Sequence, residues 1–203
     1  MTFLATWRDG DPSTTLRRSA DPAEIGAALE QIGCGFERVH PRPGVGPDAD
    51  QDTVLAAYRE VIEQINGAEG FVAVDAINMY PSDDPGWADD AKAMRATFID
   101  EHTHADPEVR LIARGSTAFY LHLDGMVHAV YATAGDLIRV PRGATHWVDS
   151  GPLPDFAVIR FFHDPRGWTA TPSGSDISHR FPDFDAVRAL AEAAGDAGDA
   201  GAN

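Results

Sequence analysis

From residue 98 onward the chain is cut into short β-like runs, at 109–114, 117–123, 126–132, 136–140 and 156–162. Between them lie Asp124-Gly125, Gly135-Asp136, Pro141-Arg142-Gly143 and Gly151-Pro152, all residue types that turns demand. Strands this short and this closely spaced predict an antiparallel sandwich or barrel. The first half reads differently. Asp21, Pro22 and Glu24 cap a helix over 22–32, whose Ile25, Ala28, Leu29 and Ile32 share one face. After a Pro/Gly-rich connector at 40–50, Val54, Tyr58, Val61, Ile62 and Ile65 stripe a second helix over 52–65, stopped by Gly67. Phe3 and Trp7 mark an edge strand, 71–78 a strand with a lone central Asp75, 88–97 a short helix and 185–194 a last one. The tail 195–203 is low in complexity and predicted disordered.

Composition narrows the partners. The 203 residues suit one domain with an appendage: 1–185 as the domain, 186–203 as a helix and acidic Ala/Gly tail. Acidic residues number 32 against 16 basic, a net charge of −16. That charge repels nucleic acid and anionic lipid, and favours a monomer. A lone Cys34 excludes an intramolecular disulfide and any multi-cysteine zinc site. The opening residues carry no basic, apolar signal segment, and no run reaches the roughly 20 apolar residues of a membrane helix. The expectation is a cytoplasmic protein acting on a small molecule.

The chemistry concentrates in Glu101-His-Thr-His-Ala-Asp-Pro-Glu108. Side chains two apart on a strand share a face, so His102 and His104 project together. Glu108 has their parity and joins them if the strand continues or kinks near Pro107. Two imidazoles and a carboxylate on one face match the ligand set of non-heme iron. His146, after the Pro141-Arg-Gly143 turn, is a fourth candidate if 136–140 and 146–150 pair in a sheet over the first histidines. Singly, each of these residues reads as an ordinary surface or core side chain; together they are far more specific. His40, His122, His128, His163 and His179 have no such company and read as surface or core.

These residues also carry a resemblance. His102, His104, Glu108 and Gly115 fit the first motif of the cupin superfamily without a gap, and Gly135, Pro141, Gly143 and His146 fit the second. Ala96 and Ser150 depart at two structural positions of those motifs. Within the superfamily, most of residues 1–185 is similar to the acireductone dioxygenase family. That similarity rests on Phe98–His104, Glu108-Val-Arg110, Gly135–Ile138 and Val140–His146, supported by Arg160-Phe-Phe162 and Gly167-Trp168. Asp106-Pro107 replaces a usually more acidic run before Glu108.

The resemblance implies a mainly β fold: a cupin double-stranded β-helix, or jelly-roll barrel, with flanking helices that are mostly N-terminal. It implies one Fe(2+), alternatively Ni(2+), per chain on His102, His104, Glu108 and His146. With O2, the iron form converts 1,2-dihydroxy-3-keto-5-methylthiopentene to 4-methylthio-2-oxobutanoate and formate. The nickel form gives 3-methylthiopropanoate, formate and carbon monoxide. Such an anionic enediol calls for cations nearby. Arg110 shares the ligands' parity but reads equally as a surface residue. Arg160, mid-strand, is expected buried against an anion or carboxylate. Phe98, Val148, Phe162 and Trp168 are candidate walls for the methylthio end, though each also reads as core. Two other readings keep the fold: a different cupin oxygenase or isomerase, and a non-catalytic cupin binding module.

Overall fold

The computed structural model describes residues 1–166 and 168–200. Its elements run β1 (Phe3–Arg8), β2 (Arg17–Ser19), α1 (Pro22–Glu30), β3 (Gly35–Arg38), α2 (Gln51–Ala57), α3 (Arg59–Glu69), β4 (Ala73–Met79) and α4 (Trp87–Phe98). There follow β5 (His102–His104), β6 (Glu108–Leu123), β7 (Met126–Thr133), β8 (Asp136–Val140), β9 (Thr145–Asp149), β10 (Phe156–Phe162), β11 (Ala170–Pro172) and α5 (Phe184–Ala200).

The strands make two antiparallel walls that share β6. One wall has the order β11-β5-β9-β6-β7-β1-β2. In the other, β6 lies between β8 and β10, with β3 outside β8 and β4 outside β10. The runs predicted at 109–114 and 117–123 are therefore one strand. Its first half pairs with β8 and β10, its second half with β7 and β9. Gly115 sits where it changes walls, at φ +66, and a Cβ there would lie 1.9 Å from the Asp155 carbonyl oxygen. Only glycine fits both constraints.

Alternation along the strands sorts three apolar layers. Leu4, Phe119, Val130 and Val148 from one wall meet Ile112, Ile138, Phe156 and Val158 from the other in the barrel interior, closed by Ile25 and Leu29 of α1. Trp7, Tyr120 and Trp147 pack outward under Phe184 and Val187 of α5. Val109, Leu111, Ile159 and Phe161 pack outward under Val54, Tyr58, Val61 and Ile65 of α2 and α3.

Four expectations change. β1 is not an edge strand; it lies between β7 and β2, because residues 17–19 fold back and pair along its outer side. The helix predicted over 52–65 breaks at Tyr58, whose hydroxyl donates to the Ala113 carbonyl at 3.1 Å. Gly67 lies within α3, and Gly70, at φ +70, ends it. The last helix continues through residues 195–200, where the sequence pattern suggests a tail; residues 201–203 lie outside the described residues. No helix among the described residues is long and apolar enough to cross a membrane.

Candidate metal centre

β5 presents His102 and His104 inward, and the register of β5 with β9 sets His146 directly opposite His102. The chain bends at Ala105-Asp106, just before Pro107, so Glu108 opens β6 beside the same rings. β8 and β9 do not pair with each other as expected. Each pairs with its own half of β6, and the Pro141–Gly143 turn crosses between walls. The Gly143 N–H donates to the His104 carbonyl at 2.9 Å, which ties that turn to β5. The three imidazole centroids stand 4.5 to 5.1 Å apart, and one nitrogen from each lies within 4.8 Å of the others. All three rings and Glu108 are buried.

The hydrogen bonds fix the chemistry of the cluster. His102 Nδ1 lies 2.7 Å from the Asp100 carbonyl, His104 Nδ1 3.1 Å from that of Thr169, and His146 Nδ1 2.9 Å from that of Ala144. A carbonyl only accepts, so each Nδ1 carries a proton and each ring turns its Nε2 inward. Glu108 Oε2 lies 2.9 Å from His104 Nε2 and 3.3 Å from His146 Nε2. The shorter approach lacks hydrogen-bond direction, and Nε2 of both His102 and His104 has no partner. Three Nε2 atoms and a carboxylate thus converge, two of the nitrogens without any hydrogen-bond partner, a donor set that suits a divalent cation. Burial pushes the His102 imidazole down to about 4, so it is neutral at pH 7. Burial alone would raise Glu108, but the Arg110 guanidinium and the His104 and His146 rings together outweigh it and hold the carboxyl well below its usual range.

Arg110 is not a surface residue. It is buried, with Nε 2.5 Å from Glu108 Oε1. Its guanidinium sits among the rings of Phe98, Phe119 and Trp168, at 5.1, 5.5 and 5.2 Å. The Nε contact is an ion pair rather than an aligned hydrogen bond, and NH2 is buried with neither. Arg160 is only half-buried, and the carboxylate expected beside it is Asp75: two hydrogen bonds, 2.8 and 2.6 Å, from Nε and NH2. Asp75, Phe98, His104, Arg160, Phe162 and Trp168 line one cavity of about 480 Å³. Val148 does not reach it. It lies deeper, among the interior apolar residues, in a small enclosed space with Phe98 and Arg110. Trp168 stacks on His104 at 5.7 Å; Gly167 lies outside the described residues.

The sequence reading missed three contributors. Phe119 and the Thr169 carbonyl carried no chemical signal. Asp75 did, as the one charge in an apolar run, but its partner could not be named. Among the remaining histidines, His128 bonds Thr6, His122 bonds Glu101, His163 packs on Phe71 and His179 pairs with Asp100. Among the described residues the only histidine, cysteine or carboxylate group placed to hold an ion is His102, His104 and His146, with Glu108 touching two of them.

Comparison with known proteins follows the same line. A family model described as "ARD/ARD' family" matches residues 20–170. An acireductone dioxygenase of Frankia alni is 48% identical over 187 residues, 92% of this chain and 91% of that protein. One from Saccharopolyspora erythraea is 43% identical over 189 residues, 93% of this chain and 99% of that protein. One solved structure, described as an acireductone dioxygenase from Bacillus anthracis with a cadmium ion in its active centre, superposes with a TM-score of 0.70. It is 23% identical, and the match covers 84% of this chain and 98% of that one, a likeness of fold.

Proposed function

The chain belongs to the ARD/ARD' family, with the fold of a cupin, and on that premise we propose that it is an acireductone dioxygenase. It oxidises the enediol 1,2-dihydroxy-3-keto-5-methylthiopentene with O2, releasing formate and 4-methylthio-2-oxobutanoate. The observation that carries this reading is the set of three imidazoles with Nδ1 tied back to main-chain carbonyls, beside one buried carboxylate. We assign His102, His104, Glu108 and His146 as the ligands of a single divalent ion, Fe(2+) for this outcome and Ni(2+) for the split that yields carbon monoxide. Bound there, such an ion supplies Lewis acidity and a template for the enediolate.

The chain's own groups do the rest. Three neutral rings and one carboxylate leave the loaded site a net positive charge, which favours an anionic substrate. Arg110 keeps Glu108 Oε1 occupied, so Oε2 is the oxygen left facing the imidazoles. The unpartnered NH2 of Arg110 is a donor waiting in an apolar, water-poor cage, suited to an enediolate oxygen. Arg160 adds a second cation at the cavity wall. Phe98, Phe162 and Trp168 offer apolar surface for the methylthio end and exclude water. We further take residues 1–185 as one catalytic domain with 186–203 appended, working as a cytoplasmic monomer on a small molecule and O2. The net charge of −16 and the lone, buried Cys34 are in line with that.

The test is metal analysis followed by product identification under air. Near one metal per chain, oxygen uptake with the enediol, and keto acid with formate from the iron form are expected. Iron-loaded protein that leaves the enediol untouched would overturn the assignment.

A further inference from the structure

Asp75 lies on the inward face of β4. Its same-face neighbours Ile77 and Met79 pack against the barrel interior, while Val74 and Ala76 face outward beneath α2 and α3. Asp75 itself is only partly buried, opening on the cavity, and its carboxylate is oriented by a partner. The partner is fixed by register: Asp75 pairs with Arg160 across β4 and β10, and Arg160 pairs with Arg110 across β10 and β6. One transverse row therefore reads carboxylate, guanidinium, guanidinium, with Glu108 holding the far end. Two guanidiniums directly opposite one another repel unless each is neutralised. Glu108 serves Arg110, and its other oxygen faces the imidazoles. Asp75 makes its one direct ion pair among the described residues with Arg160, and both line the cavity that reaches His104.

We propose that Asp75 is a positioning residue for the reaction, acting through Arg160. The proposal rests on the functional reading above. A two-point fork on Nε and NH2 fixes the plane of the guanidinium and its distance from Arg110. It leaves the NH1 edge for an anionic oxygen of the substrate. Without Asp75, Arg160 keeps its charge but loses the restraint that holds it beside another cation, and it swings toward solvent. Substrate then meets a wall that is no longer preorganised, a loss felt in binding before chemistry.

Steady-state kinetics of the iron-loaded protein tests this. Asp75→Asn keeps the shape and removes the charge. It should raise KM for the enediol about tenfold while kcat changes less than about twofold. Asp75→Glu, which keeps the charge but displaces the fork, should fall between the two. The deciding measurement is the cycle with Arg160→Gln. If Asp75 acts through Arg160, the double variant is no worse than Arg160→Gln alone. Penalties that simply add, or an Asp75→Asn enzyme with a lower unfolding midpoint and an unchanged KM, would overturn the proposal. Should Asp75→Asn not fold, Asp75→Glu carries the same test, and an unchanged KM there overturns it too. A parent protein inert toward the enediol would bring down the functional reading and this proposal together, whereas an active parent matched by its variants sinks Asp75 alone.

Discussion

On the wall built from β5 and β9, every imidazole is held by a main-chain carbonyl; on the wall built from β4, β10 and β6, every charged group is held by another charged side chain. The first arrangement depends on backbone that no side-chain substitution removes. The second is a chain of mutual dependence, in which deleting one member strands the next. Glu108 belongs to both, since one oxygen faces the imidazoles and the other Arg110. The largest effect should therefore come from Glu108→Gln set against His102→Ala. Both should lose bound metal and drop turnover by more than about 100-fold. In metal-free protein they should separate. Glu108→Gln leaves Arg110 buried and uncompensated, at roughly 3–5 kcal/mol of stability. His102→Ala leaves no charge behind and should cost about 1–2 kcal/mol. Urea unfolding of the two metal-free variants checks this, and equal costs would erase the distinction between the walls.

How much of each wall could be read from sequence follows from the same contrast. The histidine wall was legible because period-two alternation puts His102 and His104 together and because its turn, Pro141-Arg-Gly143, is written in residues that specify conformation. The route by which His146 arrives was not. It depends on β9 pairing with β5 rather than β8, a long-range choice that no local pattern encodes. The charged wall was legible only as isolated members. Asp75 and Arg160 are 85 residues apart, and their pairing is settled by the register of β4 on β10. Helix existence was read correctly, but the break at Tyr58 was not, because it answers to a tertiary bond with Ala113. The edge assigned to β1 failed because the polar run Arg17–Ser19, which carries no strand pattern, pairs along its outer side.

A second test separates the site from the rest of the barrel by pH. Burial pushes two histidines from the ordinary 6.5 down to about 4: His102 in the cluster and His128, which bonds Thr6 between β1 and β7. With the folded value below the unfolded one, the unfolded chain binds more protons between those limits. Stability of the metal-free protein is then complete above about pH 6.5 and falls as pH drops toward 4, by on the order of 3 kcal/mol for each ring. His128→Gln should remove about half of that slope and leave metal content unchanged. His102→Ala should remove the other half and the metal with it. Urea midpoints between pH 4 and 7 read both, and a slope indifferent to His128→Gln would place the acid sensitivity elsewhere.

The smallest effect concerns the side chain that joins the two walls. β11 pairs with β5, which fixes the chain just past Trp168 to the histidine wall, while the Trp168 ring packs on Phe162 at 4.4 Å and faces the Arg110 guanidinium. Its Nε1 donates to the Pro107 carbonyl at 3.2 Å, at the kink that delivers Glu108 to His104. Two roles are therefore superimposed, a ring that shields the site and a hydrogen bond that staples the kink. Trp168→Phe keeps an aromatic ring and deletes the bond. A neutral hydrogen bond at a half-buried site contributes about 1 kcal/mol, and the smaller ring weakens the cation–π contact by a similar or lesser amount. The expected outcome is a stability loss of about 1 kcal/mol and a rise in KM of no more than about threefold. If KM rises tenfold or more, the staple on Pro107 matters more than the ring. The kink would then be held from outside by Trp168, and the geometry of Glu108 would depend on a residue 60 positions downstream.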